Sequence, residues 1–316
     1  GQFEDFELVN GETFAEDINI VNKGCLSCPM KCARTVKVGN HEVKGPELET
    51  LGLLGGGIMN NDLKLICKWN YELDELGMDT ISCANTVAWA MEANEKGLWK
   101  NGLQFGKTAN LSAVFRSIAN RQGIGNELAE GSKRLSEKNG GKEFAMQSKG
   151  LELAAYEPRR AVGQGLGYAV SNRGGCHLNG GYLVILEGLG LNIDAQTPHS
   201  KADFTMMFQD LMEMISATGQ CLFTSYAFFP GFLITRPNGA IATAANKLLP
   251  HLGWAIRLMN KFPRVLAFHL PVFHHTKMMQ KAVGMPMTFG KYLQTGERGF
   301  NLERAVNVRF GVSAAK

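Results

Sequence analysis

Three cysteines fall within one short span, Cys25-Leu-Ser-Cys28-Pro-Met-Lys-Cys32, a C-x2-C-x3-C group. Nothing else constrains the chain as much, because one turn of backbone must bring three thiols together. A cubane iron–sulfur (4Fe–4S) cluster needs thiolates at four corners of a compact tetrahedron, and spacing this close lets one turn reach three of them. Pro29 stiffens that turn. The fourth corner is open to Cys67, Cys83, Cys176 or Cys221. Three buried free thiols are one alternative. Zinc is a stronger one, but structural zinc sites pair C-x2-C with a second compact pair, which this sequence lacks. The spacing therefore favours iron–sulfur. Seven cysteines, an odd number crowded at one point, read as metal binding in a reducing, cytoplasmic compartment and not as a secreted disulfide framework.

The 316 residues suggest two domains at about 150 residues each. With 45% hydrophobic residues the chain can bury a substantial core without disulfides. A net charge of +4 is too weak to argue for nucleic acid, although it suits an acidic protein partner. No apolar run reaches the roughly 18 residues of a membrane helix. The most hydrophobic stretch, Leu222 to Thr235, is broken by Pro230. The chain opens on an acidic, polar segment without a signal peptide or initiator Met, so it is expected to be processed or a piece of a longer protein.

The pattern along the chain is mostly helical. Residues 1–24 read as a short helix with connectors. Alternation at 35–38 and 41–43 around Gly39-Asn40 predicts a small β-hairpin. Gly55-Gly56-Gly57 suits either a tight turn or close approach of backbone to a ligand. Helical spacing runs from Asn61 to about Gly97, interrupted at Gly77, and two amphipathic helices follow over 108–138. Near residue 147 the composition shifts to Gly- and Arg-rich, which divides the chain into domains at 1–146 and 147–316. Residues 202–222, 240–262 and 301–308 read as further helices. The expected fold is two helical domains with a minor β-hairpin.

Other chemistry-bearing residues are few. Asp74-Glu-Leu-Gly77-Met-Asp79 places carboxylates around a glycine break, which fits either a ligand's N–H groups or a kinked acidic face. Glu47 and Glu49 follow the hairpin. In Arg173-Gly-Gly-Cys-His177, a guanidinium can grip phosphate, the glycines allow close approach, and an imidazole can exchange protons near neutral pH. Packing is the competing role for this histidine. His41, His199, His251, His269, His274 and His275 have no ligand-like partners in the sequence.

Taken in order, CLSCPMKC, GPELET, DELGMD, KGLELAAYEPRR, GLGYAVSNRGGCHL, SATGQCLF and GERGFNLERAVNVRFG resemble the tungsten-dependent aldehyde:ferredoxin oxidoreductase family over nearly the whole chain. The resemblance implies the fold of that family's second and third domains. It also implies a 4Fe–4S cluster on Cys25, Cys28, Cys32 and Cys221, beside a tungsten (or molybdenum) bis-pterin. Two D-x-x-G-L-(C/D) motifs of the family bind the pterins. The first maps onto Asp74, Gly77, Met78 and Asp79. The second maps onto Ser216, Gly219, Gln220 and Cys221, where Ser replaces the Asp and Gln the Leu. A hydroxyl there forms hydrogen bonds but supplies no charge. The family's pterin-contacting Arg falls on Arg173 and its active-site Glu and His on Glu49 and His177, with Glu47 one alignment shift away.

The implied reaction converts aldehyde and water to carboxylate, passing electrons through the cluster to ferredoxin or another carrier. Family members also carry an N-terminal β-rich domain that forms a base for the cofactor. Nothing here corresponds to it, so that base is expected on a separate chain or not at all. Three rival readings compete: a relative acting on an activated aromatic ring, an iron–sulfur electron-transfer or assembly subunit without a working pterin site, and a zinc-stabilised module. Oligomerisation is left open.

Overall fold

The computed structural model describes residues 3–28, 30–224, 231, 235–236, 238–269 and 273–312. Pro29 and most of the apolar stretch after Leu222 lie outside them. The chain divides into two compact units, Gly1–Ala155 and Tyr156–Lys316.

The first unit opens with short helical turns and a three-stranded antiparallel sheet of β1 (Val21–Lys23), β2 (Ala33–Val38) and β3 (His41–Lys44). The hairpin expected around Gly39-Asn40 is β2–β3, in a register that pairs Val38 with His41. The added strand, β1, pairs Val21 with Thr35, so the cysteine group becomes the β1–β2 connection.

Helices α1 (Leu48–Leu54), α2 (Leu63–Glu75) and α3 (Thr80–Glu95) follow. Asp62 starts α2 by accepting from the Lys64 and Leu65 amides. Gly77, left-handed at φ +65 with open space around it, separates α2 from α3. Helix α3 buries Cys83, Val87, Trp89, Ala90 and Met91 on several faces, so it forms the unit's centre. One side meets Leu54, Ile66, Trp69 and Phe115; the other meets Leu128 and Leu135.

The segment expected to hold two helices is α4 (Leu111–Ala119), α5 (Ile124–Leu128) and α6 (Gly131–Asn139). The division of units falls a little beyond the composition change at 147. Strands β4 (Gln147–Ser148) and β5 (Leu151–Glu152) belong to the first unit because their polar groups are satisfied there. Buried Glu152 accepts from the Ser132 amide and hydroxyl, and Asn85 Nδ2 donates to the Leu153 carbonyl.

The second unit is helical: α7 (Val162–Val170), α8 (Lys201–Ala217), α9 (Ala240–Leu248), α10 (Gly253–Lys261), α11 (His275–Val283) and α12 (Phe289–Arg309). Helices α8 and α12 pack backbone to backbone, since a Cβ on Gly296 would overlap the Asp210 carbonyl. Helix α10 is fixed to α8 by the Arg257 guanidinium, which makes two 3.0 Å hydrogen bonds to Asp203. No helix of the described residues is long and apolar enough to cross a membrane.

The α8–α12 seam carries a pH signature. Burial, and then Glu297, push the Asp210 carboxyl up to about 7. An unfolded Asp titrates near 3.9, so between about pH 4 and 7 the native state holds a proton that the unfolded state has lost. Stability therefore falls as pH rises through that window. Asp210→Asn should remove this slope and stabilise the protein at pH 8 by about 2 kcal/mol, a three-unit shift discounted for partial solvation. Denaturant titrations at pH 4.5 and 8 check this; an unchanged pH slope in the variant would show the carboxyl to be unperturbed.

Candidate functional site

The first unit supplies the thiols. Cys25 is exposed, and Cys28 and Cys32 are half-buried; all three are free. Their loop is tightly wound. Ser27 and Lys31 have left-handed backbones, the Cys28 amide donates to the Cys25 carbonyl at 2.9 Å, and Gly24 lies against the Cys28 carbonyl and Lys31 backbone. Among the described residues no three His, Cys, Asp or Glu side chains converge in metal-holding geometry. Cys67 and Cys83 sit in the core instead, where burial above all pushes each thiol up to about 12.

The unit's carboxylates separate by role. Glu47 is the residue before α1 and pairs with Lys44 at 2.7 Å. Glu49, half-buried, lies in the first turn of α1, which Thr50 ties to α3 through a 2.8 Å hydrogen bond to Thr80. Asp79 caps α3, accepting from the Ser82 amide at 2.7 Å, while Asp74 is exposed near the end of α2. Gly77 is exposed and Met78 half-buried between them.

The second unit holds His177 on a loop built from small and amide residues. Asn179 Oδ1 accepts from the Ser171 hydroxyl at 2.8 Å and the Asn172 amide at 3.1 Å, closing the loop on itself. Helix α12 grips it from outside: Arg304 donates to Asn172 Oδ1, and Asn307 to the Asn172 carbonyl, each at 2.8 Å. His177 is half-buried between the Tyr156 and Tyr182 rings, 5.6 and 5.9 Å away. Its carbonyl accepts from the Tyr182 amide and, at 3.5 Å, from buried Gln164. Cys176, also buried, accepts through its sulfur from the Asn179 amide.

Arg173, exposed, and Ser216, at the end of α8, line one cavity of about 330 Å³. Gln220 is absent from that wall. Its side-chain oxygen accepts from Tyr292, a fully buried phenol, at 2.9 Å and from Thr218 at 3.1 Å, so it anchors the end of α8 to α12. Cys221, next in sequence, is exposed.

Sequence reasoning missed the buried polar centre of this unit. Glu187 accepts from the Gly163 and Gln164 amides at the start of α7 and from Lys201 Nζ. The side chains of Lys201 and Glu187 are only 3% and 0% exposed, which leaves their charges to each other. A carboxylate within Leu183-Val-Ile-Leu-Glu187 was the available signal, because an acid in an apolar run needs a partner.

Comparison with known proteins agrees with this architecture. The family model "Aldehyde ferredoxin oxidoreductase, domains 2 & 3" matches residues 1–316. A tungsten-containing aldehyde ferredoxin oxidoreductase of Pyrococcus furiosus is 35% identical over 319 residues, covering 97% of this chain and 46% of its own length. Its counterpart in Thermococcus kodakarensis is 35% identical over 328 residues, covering 100% and 47%. An aliphatic sulfonate oxidoreductase, WOR-like subunit, of Pyrococcus furiosus is 29% identical over 168 residues, 48% of this chain and 27% of that protein. Among solved structures, the active site complex BamBC of benzoyl coenzyme A reductase, in complex with 1,5-dienoyl-CoA, shares the fold at a TM-score of 0.62 and 17% identity. It matches 96% of this chain and 47% of its own. The chain thus spans about half the length of the curated aldehyde ferredoxin oxidoreductases it matches. It belongs to the aldehyde ferredoxin oxidoreductase family, whose second and third domains it represents.

Proposed function

We propose that the chain forms the cluster- and pterin-holding part of a tungsten (or molybdenum) oxidoreductase that converts aldehydes to carboxylates. The carrying observation is the three-thiol loop within a chain that matches the family from end to end. The donor set fits an iron–sulfur cluster: three free thiols on one tightly turned connection, outside the core. Cys25, Cys28, Cys32 and Cys221 would hold it. Asp74, Gly77, Met78 and Asp79 in one unit, with Arg173, Ser216 and Gln220 in the other, would hold the pterins. Arg173 suits a pterin phosphate by its planar fork.

When bound, these groups would supply the two-electron oxidation of aldehyde, with water as the source of the added oxygen and ferredoxin or another carrier as the acceptor of the electrons. The protein's own part is protonic and positional. Water and aldehyde must release protons as carboxylate forms, and Glu49 and His177 are the groups assigned to take them. The tyrosines beside His177 and the grip of α12 on its loop fix the imidazole's place.

Reduction of an activated aromatic ring is the second reading, favoured by the fold shared with the benzoyl coenzyme A reductase complex. Metal analysis and the visible spectrum of the full-length protein, purified anaerobically, test the proposal. Iron with tungsten or molybdenum supports it; iron alone would point to an electron-transfer subunit, and zinc to a structural module. Turnover of aldehydes against an aryl-CoA thioester then separates the two enzymatic readings.

The fourth cluster ligand has its own test. A ligating thiol must ionise, which burial opposes at Cys67 and Cys83, whereas Cys221 is exposed. Cys221→Ala should lose or convert the cubane signal in electron paramagnetic resonance of the reduced protein, while Cys67→Ala and Cys83→Ala keep it. An intact signal without Cys221, lost instead without Cys67, Cys83 or Cys176, would assign the corner elsewhere.

A further inference from the structure

The cavity beside Ser216 opens onto chemistry that the residues carried over from the family leave unused. A larger chamber of about 530 Å³ and the smaller one of about 330 Å³ share Arg173, Glu213 and Glu303 as walls. Glu303 is engaged: its Oε2 accepts from Asn172 Nδ2 at 3.2 Å and Asn179 Nδ2 at 3.3 Å. Glu213 differs. Among the described residues it has no hydrogen bond or ion pair, and burial followed by the charge of Glu303 raises its pKa. Room is kept for it, since a Cβ on Gly299 would lie 2.9 Å from Glu213 Oε1. Glu213 precedes Ser216 by one turn of α8, so both lie on the same side of that helix. Leu302 and Val306 give the larger chamber an apolar side.

A half-buried carboxylate facing a second carboxylate is stabilised by a ligand that brings N–H donors to it. Arg173 on the same walls favours an anionic or carbonyl-bearing group elsewhere on that ligand. The apolar side suits a flat ring between them. An aminopyrimidinone meets these demands, because its exocyclic amine and adjacent ring N–H present two parallel donors that match a carboxylate's two oxygens.

We propose that Glu213 receives the aminopyrimidinone N–H edge of a pterin in this cavity, with Arg173 on the pterin's phosphate. The assignment rests on the pterin-binding reading above and adds the group that selects the ring. Gln at 213 would keep one acceptor and turn a donor toward the incoming N–H groups. It would suit lumazine, which carries a carbonyl where a pterin carries its amine.

The test titrates the full-length protein, freed of cofactor, with 6-hydroxymethylpterin phosphate and with the matching lumazine phosphate, following quenching of ring fluorescence. Iron content and thermal unfolding are recorded for each variant. E213Q should weaken pterin binding about tenfold or more and narrow or invert the preference for pterin over lumazine. E213A should weaken both, and E297Q, on α12 but outside the cavity lining, should change neither. Equal preference ratios in wild type and E213Q, with wild type still binding pterin, would overturn the role of Glu213 and leave the pterin reading standing. A wild-type protein that neither binds the probe nor yields pterin on extraction would overturn that reading and this proposal together.

Discussion

Lys201→Met is expected to destabilise the second unit by about 3–5 kcal/mol, the cost of stranding one charge of a buried pair. The pair is deeply enclosed, with side chains 3% and 0% exposed. Without the ammonium, Glu187 keeps, among the described residues, the Gly163 and Gln164 amides as donors. Two backbone N–H groups at a helix start favour a carboxylate, but do not neutralise it. The double variant Glu187→Leu/Lys201→Met should recover much of the loss, since an apolar pair of similar volume can replace a buried ion pair at small net cost. Recovery should stop short by about 1 kcal/mol, because Glu187 also caps α7. Native-state hydrogen exchange at the amides of α7 and α8 reads this unit separately from the other. A single variant with protection within 1 kcal/mol of wild type, or a double variant no better than the single, would show that the two charges do not depend on each other.

The consequence reaches the candidate site through Gln164. Its backbone amide binds Glu187, and its side chain accepts from the Val184 amide and donates to the His177 carbonyl. Lys201, Glu187, Gln164 and His177 thus form one chain of polar contacts through the interior of the second unit. Loosening its start should loosen the loop at its end.

This network also shows where sequence reading stops. Local order was legible: alternation around Gly39-Asn40 became β2–β3, and the break at Gly77 became the gap between α2 and α3. Each is written in contiguous residues whose turn chemistry is local. Strand β1 was not, because Val21–Lys23 is short, has no buried residue and forms by pairing with β2. The last helix was expected at 301–308 and begins at Phe289. Gly290, Gly296 and Gly299 suggest helix breaks in the sequence, whereas in the fold they admit the Pro263 carbonyl, the Asp210 carbonyl and Glu213. The cavity acids escaped for a similar reason. Glu213 and Glu303 meet only because α8 and α12 pack side by side, and no periodicity in either helix announces the other. The motif residues are proposed from their order along the chain, and two of them have structural contacts in the fold: Asp79 caps α3 and Gln220 accepts from Tyr292.

Glu49→Gln and His177→Ala in the full-length enzyme should each lower turnover by about 10²–10⁴-fold, the range of a general acid or base, with iron and pterin content unchanged. The two substitutions act differently. Gln at 49 preserves shape and removes proton exchange, so kcat should fall with little change in KM. Ala at 177 also empties space between Tyr156 and Tyr182. His177→Gln therefore accompanies it, to separate lost packing from lost proton transfer. If the imidazole exchanges the proton, both His177 variants should abolish the limb of the kcat/KM profile that it governs. Glu47→Gln is the internal control. Glu47 pairs with Lys44 on the surface, with side chains 35% and 61% exposed, and such a pair contributes at most about 1 kcal/mol. Its loss should leave both rate and pH profile in place. A large rate loss at Glu47 with none at Glu49 would exchange the two assignments. Near wild-type rates in Glu49→Gln and in both His177 variants would remove proton transfer from these residues.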